Sequence, residues 1–187
     1  MSEQLMVFQR TEVEKDSNVN IVIQRLDKTG ELVEMTPVLL LDVSGSMNQT
    51  VAVGKTKIEV LNEVVKNNFS AIRKFAFSDR FYEVFGNELT ADGSTGLIAA
   101  LRHLPKMKLD LCLLSDGLPT DNENDCIEEA KKLGYPVNVM YIGDKGDSGE
   151  AFMIRLAKET DGKILSVDAQ MLNPEKLSDN MTKLLLK

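Results

Sequence analysis

Apolar residues in this chain gather in short runs, and a polar or glycine-rich segment follows each run. The clearest is VLLL at 38–41, preceded by Pro37 and followed by Asp42-Val43-Ser44-Gly45-Ser46. Runs of the same kind stand at 110–115 (DLCLLS), 137–142 (VNVMYI) and 164–167 (ILSV). They are too short for helices and carry no alternation of polar and apolar residues, which predicts strands buried on both faces. A hairpin is predicted ahead of them, from 19–26 (VNIVIQRL) to 32–35, with Gly30 at its turn. Segments 73–77 and 81–85 predict two more short strands, antiparallel about Ser78-Asp79-Arg80.

Between the runs the period changes to that of a helix. Thr56-x-x-Glu59 is a capping box, and Ile58, Leu61, Val65, Phe69 and Ile72 then recur on one stripe. Further helices are predicted from about Thr95 to Leu104, stopping at Pro105; up to Leu133, ended by Gly134; and over 150–160. The last helix has Asn173 as its cap, Pro174 in its first turn and Leu172 placed to staple against Leu177; Leu177, Met181, Leu184 and Leu185 form its apolar face.

Strands alternating with helices imply an α/β domain: a Rossmann-like open, mostly parallel central sheet with one antiparallel edge strand and helices on both faces. The length, 187 residues, suits one domain with a full core. Residues 37–187 are expected to form that domain, with 1–36 an N-terminal arm and hairpin packed on it. Twenty-nine acids against 22 bases leave a net charge of −7, which disfavours nucleic acid and anionic membrane as partners. No apolar run reaches the ~20 residues of a membrane span, and the first 15 residues lack the pattern of a secretory signal. A cytoplasmic protein is expected. Cys112 and Cys126 match no zinc or redox spacing, and Cys112, inside an apolar run, reads as a packing residue.

The candidate chemistry lies where the strands end. Asp42, Ser44 and Ser46 offer a carboxylate and two hydroxyls at alternate positions, on a loop that Gly45 allows to curl. Oxygen donors suit a hard cation such as Mg²⁺. Two other loops, Asp92-Gly93-Ser94-Thr95-Gly96 and Ser115-Asp116-Gly117, would lie on the same carboxyl edge of the sheet, where open α/β folds bind ligands.

In order and spacing, DVSGSM at 42–47, the threonine Thr95 in its glycine-flanked loop, and SDG at 115–117 resemble the metal-ion-dependent adhesion site of the von Willebrand factor A domain. The resemblance runs from Pro37 to the C-terminus. The phrases PVLLLDVSGSM and LLSDGLPTD also look like the bacterial members encoded in tellurium-resistance and stress gene clusters. It implies that Ser44 and Ser46 ligate a metal directly, Asp42 directly or through water, Thr95 when a partner is bound, and that Asp116 holds a metal-bound water. The metal would be Mg²⁺ or Mn²⁺, with Ca²⁺ also compatible. The family often has Gly-Gly-Thr and Thr-Asp-Gly where this chain has Gly93-Ser94-Thr95 and Ser115-Asp116-Gly117, and neither departure removes a ligand. Mostly neutral ligands leave the cation electron-poor, so the implied function is adhesion: a protein partner supplies an Asp or Glu carboxylate to the metal, and no reaction is catalysed.

Two rival functions are a metal-dependent phosphohydrolase and a scaffold subunit of an ATPase or stress-response complex with a structural metal. The hydrolase is weakened by Ser44, which stands where an Asp-x-Asp phosphatase needs its second carboxylate. Gly54-Lys55-Thr56 suggests a phosphate loop but has Gln49 in place of the earlier glycine. Asp121-x-Glu123-x-Asp125 suggests a calcium loop but has Cys126 at the turn glycine, and reads instead as a helix start with acids at its positive end. His103, the single histidine, has no nucleophile beside it, and Met47 fits either a binding rim or a packing role.

Overall fold

A computed structural model describes residues 21–26, 30–51, 54–86 and 88–185. Strand β1 (Ile23–Leu26) pairs antiparallel with the first part of β2 (Leu32–Asp42) across a turn in which Gly30 takes φ +83°. The predicted hairpin is therefore present over these residues; Val19 and Asn20 lie outside the described ones. Strand β2 then continues without a break through Pro37 into the centre of the sheet. A proline is tolerated there because of where the pairing changes. The Thr36 N–H donates to Lys108 on one side, and alternation turns residue 37 to the other. On that other side pairing with β3 (Arg73–Phe77) begins only at Val38, so no ladder bond is forfeited.

The remaining elements are β4 (Phe81–Glu83), β5 (Leu109–Ser115), β6 (Val137–Ile142) and β7 (Ile164–Val167), with helices α1 (Lys57–Asn68), α2 (Leu97–His103), α3 (Glu123–Lys131), α4 (Ser148–Glu159) and α5 (Pro174–Leu185). The sheet order is β4-β3-β2-β5-β6-β7, parallel except for the edge strand β4 and the β1 hairpin. The apolar runs divide between two cores by alternation. Leu39, Leu41, Cys112, Leu114, Met140 and Ile142 face the core that α1 and α5 cover, while Val38, Leu40, Leu111, Leu113, Val139 and Tyr141 face the core of α2, α3 and α4. Every one of these is essentially fully buried, which is why the strands read as unbroken apolar runs. Cys112 and Cys126 belong to different cores on opposite sides of the sheet and cannot pair.

The capping box of α1 forms as expected: Thr56 accepts from the Glu59 N–H, and Glu59 accepts from Thr56. Asn173 caps α5 through the Lys176 N–H. Two helix starts differ from expectation. Helix α4 begins at Ser148, because Asp147 accepts from the Glu150 N–H and the Glu150 carboxylate reaches back to the Gly146 N–H. Helix α2 begins only at Leu97, after the Thr95 turn. The carboxyl ends of β2 and β5 lie side by side at the sheet's reversal point, with Leu41 opposite Leu114. That edge is where a crevice opens in this class of sheet.

Candidate metal site

Asp42 is the last residue of β2 and is completely buried. Beyond it the chain turns sharply: the Ser44 N–H donates back to Asp42 Oδ1 at 2.9 Å, and a single 3-10 turn, Gly45–Asn48, follows. That turn sets the hydroxyls of Ser44 and Ser46 side by side, their oxygens 3.1 Å apart. It also drives Met47 inward, where it is wholly buried against α1 and α5; of the two readings open for Met47, packing is the one realised. The segment after it folds back through a bridge between Thr50 and Thr56, which seats Val51 in the same core.

The second and third loops close on the first. Gly45 N–H donates to the Gly93 carbonyl at 3.0 Å and Asp92 N–H to the Val43 carbonyl at 2.8 Å, so the Thr95 loop is stitched to the Asp42 loop along the backbone. Glycines are needed here: Gly93 has φ +77°, and a Cβ there would meet Asp79 Oδ1 at 2.6 Å, while one at Gly96 would meet the Ser78 carbonyl at 2.8 Å. Asp116 comes in from the end of β5, and its Oδ1 accepts from Ser46 Oγ at 2.7 Å. Thr95 itself is buried, and its carbonyl accepts from both the N–H and the hydroxyl of Thr120. Asp42, Ser44, Ser46 and Asp116 are thus joined in one hydrogen-bonded chain, and the loop that carries Thr95 is joined to the Asp42 loop through the backbone of Asp92 and Gly93.

Three further side chains, none of them among the expected metal ligands, shape the site. Ser115 donates its hydroxyl to Asp42 Oδ2 at 2.6 Å, so both oxygens of that buried carboxylate have a partner. Lys57, the first residue of α1, donates its ammonium to Asp116 Oδ2 at 2.7 Å with both side chains almost fully buried. Asp121 does not belong to the start of α3, whose cap is Asn122; it accepts from the Ile98 N–H and so caps α2, directly behind Thr95. Ser115 and the Thr120-Asp121 pair stood in plain view inside LLSDGLPTD, whereas nothing local marks Lys57 as more than a helix-opening lysine.

The electrostatics follow from this burial. Removal from water pushes the Asp42 carboxyl up from 3.8 to about 6, an effect that its hydrogen bonds from Ser115 and Ser44 reduce and that neighbouring Asp116 enlarges. Two carboxylates face one ammonium, which leaves the cluster one negative charge in excess when both are ionised. The donor set fits a hard divalent cation. Two neighbouring oxygens of an octahedral shell at ~2.0–2.1 Å stand about 2.8–3.0 Å apart, close to the 3.1 Å between the two serine oxygens. Ser46 can turn a lone pair to a metal while its proton still goes to Asp116. Among the described residues no three His, Cys, Asp or Glu side chains gather as a metal cluster, so hydroxyls are essential to any site here. Ser46 and Gly45 are exposed, so the cluster opens to solvent on that side.

The rival motifs have structural explanations. Thr56 caps α1 and Lys55 pairs with Glu63 at 2.6 Å on the surface, so Gly54-Lys55-Thr56 forms no phosphate cradle. His103 stacks on Phe81 with ring centres 5.7 Å apart, and its Nδ1 lies 2.7 Å from the Ala99 carbonyl. Both cysteine thiols are pushed above their ordinary range by burial, Cys126 to about 12. Among the described residues no helix is long and apolar enough to cross a membrane.

No protein-family model matches the chain, and no curated protein sequence matches it. Solved structures do. A von Willebrand factor type A protein from Catenulispora acidiphila superposes with a TM-score of 0.62 at 15% identity, over 83% of this chain and 44% of that one. Proximal thread matrix protein 1 from the mussel byssus, with a zinc-occupied adhesion-site motif, gives 0.54 at 15% identity over 79% and 44%. The manganese-loaded TRAP protein of Plasmodium vivax gives 0.54 at 17% identity over 90% and 78%. The chain spans less than half the length of the first two. Likeness at these identities speaks for the fold, and together with the sheet order and the strand-end loops it leads to one statement: this chain has the von Willebrand factor A fold.

Proposed function

We propose that this domain is a divalent-metal-dependent protein-interaction module and that Asp42, Ser44, Ser46, Thr95 and Asp116 form its metal site. Ser44 and Ser46 ligate the cation, Asp42 and Asp116 supply negative charge and hold bound water, and Thr95 completes the set when a partner's Asp or Glu carboxylate arrives. The metal is Mg²⁺ or Mn²⁺. The observation that carries this reading is the joining of a buried carboxylate, two adjacent serine hydroxyls and a second carboxylate, drawn from loops 70 residues apart, at the reversal point of the sheet. The zinc and manganese named for two of the similar structures support it by analogy. A binding role is favoured over hydrolysis because Ser44 stands where an Asp-x-Asp phosphatase carries its second carboxylate.

The test is a metal titration by calorimetry, followed by affinity capture in Mg²⁺ and in EDTA, each with wild type and Asp42→Ala. Saturable Mg²⁺ or Mn²⁺ binding, and a captured protein present only with metal and wild-type Asp42, is the expected result. A partner retained equally in EDTA and by Asp42→Ala would overturn adhesion through this site. Metal-dependent turnover of a phosphate ester, lost in Asp42→Ala, would replace it with the hydrolase reading.

A further inference from the structure

We propose that Lys57 couples metal affinity to an incoming carboxylate, so that the cation is held weakly alone and more tightly together with an acidic ligand. The inference rests on the metal-site reading above and concerns a residue outside the adhesion motif. Lys57 is fixed in place: it opens α1, its N–H donates to the Gln49 carbonyl, and its side chain is only 3% exposed. The ammonium meets Asp116 Oδ2 at 2.7 Å, while Oδ1 of the same carboxylate holds Ser46, one of the two serine donors. A buried ammonium is stable only when paired, and here its partner is a member of the site itself.

Counting charge gives the consequence. Asp42, Asp116 and Lys57 sum to −1, so a divalent cation brings the buried cluster to +1. The side chains that carry these charges are buried, at the N-terminus of a 12-residue helix whose dipole adds positive potential. The cation alone therefore leaves one positive charge uncompensated, and one carboxylate from outside restores neutrality. Without Lys57 the two carboxylates and the metal would already balance, and an outside carboxylate would gain little. The lysine thus tunes the site towards acidic partners by weakening its hold on the bare metal.

The experiment measures Mn²⁺ affinity by calorimetry at pH 7, with and without millimolar acetate as the carboxylate probe. It compares wild type, Lys57→Gln, which keeps a hydrogen-bond donor for Asp116 without the charge, and Lys57→Arg, which keeps the charge. Thermal unfolding in EDTA confirms that each variant is folded. Wild type and Lys57→Arg should bind Mn²⁺ at least severalfold more tightly with acetate. Lys57→Gln should bind Mn²⁺ alone about tenfold or more tighter than wild type and respond little to acetate. Unchanged or weaker Mn²⁺ binding by folded Lys57→Gln, or an acetate effect equal to that of wild type, would overturn the inference and leave the metal-site reading standing. Absence of Mn²⁺ binding in every protein, wild type included, would overturn both.

Discussion

Replacing Asp42 by Asn should stabilise the metal-free domain while abolishing its response to metal. Asp42 is fully buried, and burial raises its carboxyl from 3.8 to about 6. A folded-state value above the unfolded one means that the group favours folding while protonated and that this contribution is lost as pH rises from 3.8 through about 6. Above that window the ionised group costs the fold about 3 kcal/mol, at 1.36 kcal/mol for each pH unit of displacement. Asparagine removes the charge and keeps most of the bonding: its amide oxygen still accepts the Ser44 N–H, and the Ser115 hydroxyl can reverse to accept from the amide nitrogen. Imperfect geometry reduces the gain to about 1–3 kcal/mol, or roughly 3–10 °C in Tm for a domain of this size. The assay is thermal unfolding in metal-free buffer at pH 7.5 and pH 4, with Mg²⁺ added in a parallel set. The Asn variant should gain at pH 7.5, gain little at pH 4 and ignore Mg²⁺, whereas wild type should rise with Mg²⁺ as ligand linkage requires. A variant less stable than wild type at pH 7.5 without metal would refute the reasoning, because Asp42 would then be a structural anchor and not a charge held for a cation.

Ser46→Ala removes one serine oxygen together with the hydrogen bond to Asp116, and should weaken Mn²⁺ binding at least tenfold by calorimetry with little change in Tm. Lys74, buried beyond α1, donates to the carbonyls of Phe69, Ser70 and Ile72; Lys74→Met should strand them and cost about 2–3 kcal/mol, read as a lower urea midpoint at unchanged m. Gly162→Ala would drive a Cβ into the Val137 carbonyl and should cost about 3 kcal/mol or more, whereas Gly117→Ala, with open space around it, should change unfolding free energy by no more than about 0.5 kcal/mol although Gly117 lies in the SDG motif.

The sequence by itself determined the elements and the place of the chemistry. Runs such as VLLL at 38–41 and LCLL at 111–114 read as strands covered on both faces, and each handed the chain to a polar loop at its carboxyl end, so Asp42 and Asp116 were bound to share one edge, whereas Thr95 reaches it through the loop between the antiparallel β4 and α2. Those are local facts, carried by period and by capping residues within a few positions. Other features needed the tertiary structure, because they depend on partners far apart in the chain. Nothing near Lys57 announces Asp116, 59 residues on; nothing near Ser115 announces Asp42, 73 residues back. Asp121 read as an opening acid of α3 because Glu123 and Asp125 follow it, yet its bond goes to α2. Met47 stood beside an exposed serine, and only the tight 3-10 turn after Ser44 decided that it faces the core. Periodicity reports which side of an element is apolar; it is the folded sheet, by bringing the ends of β2 and β5 together, that decides which charges meet there.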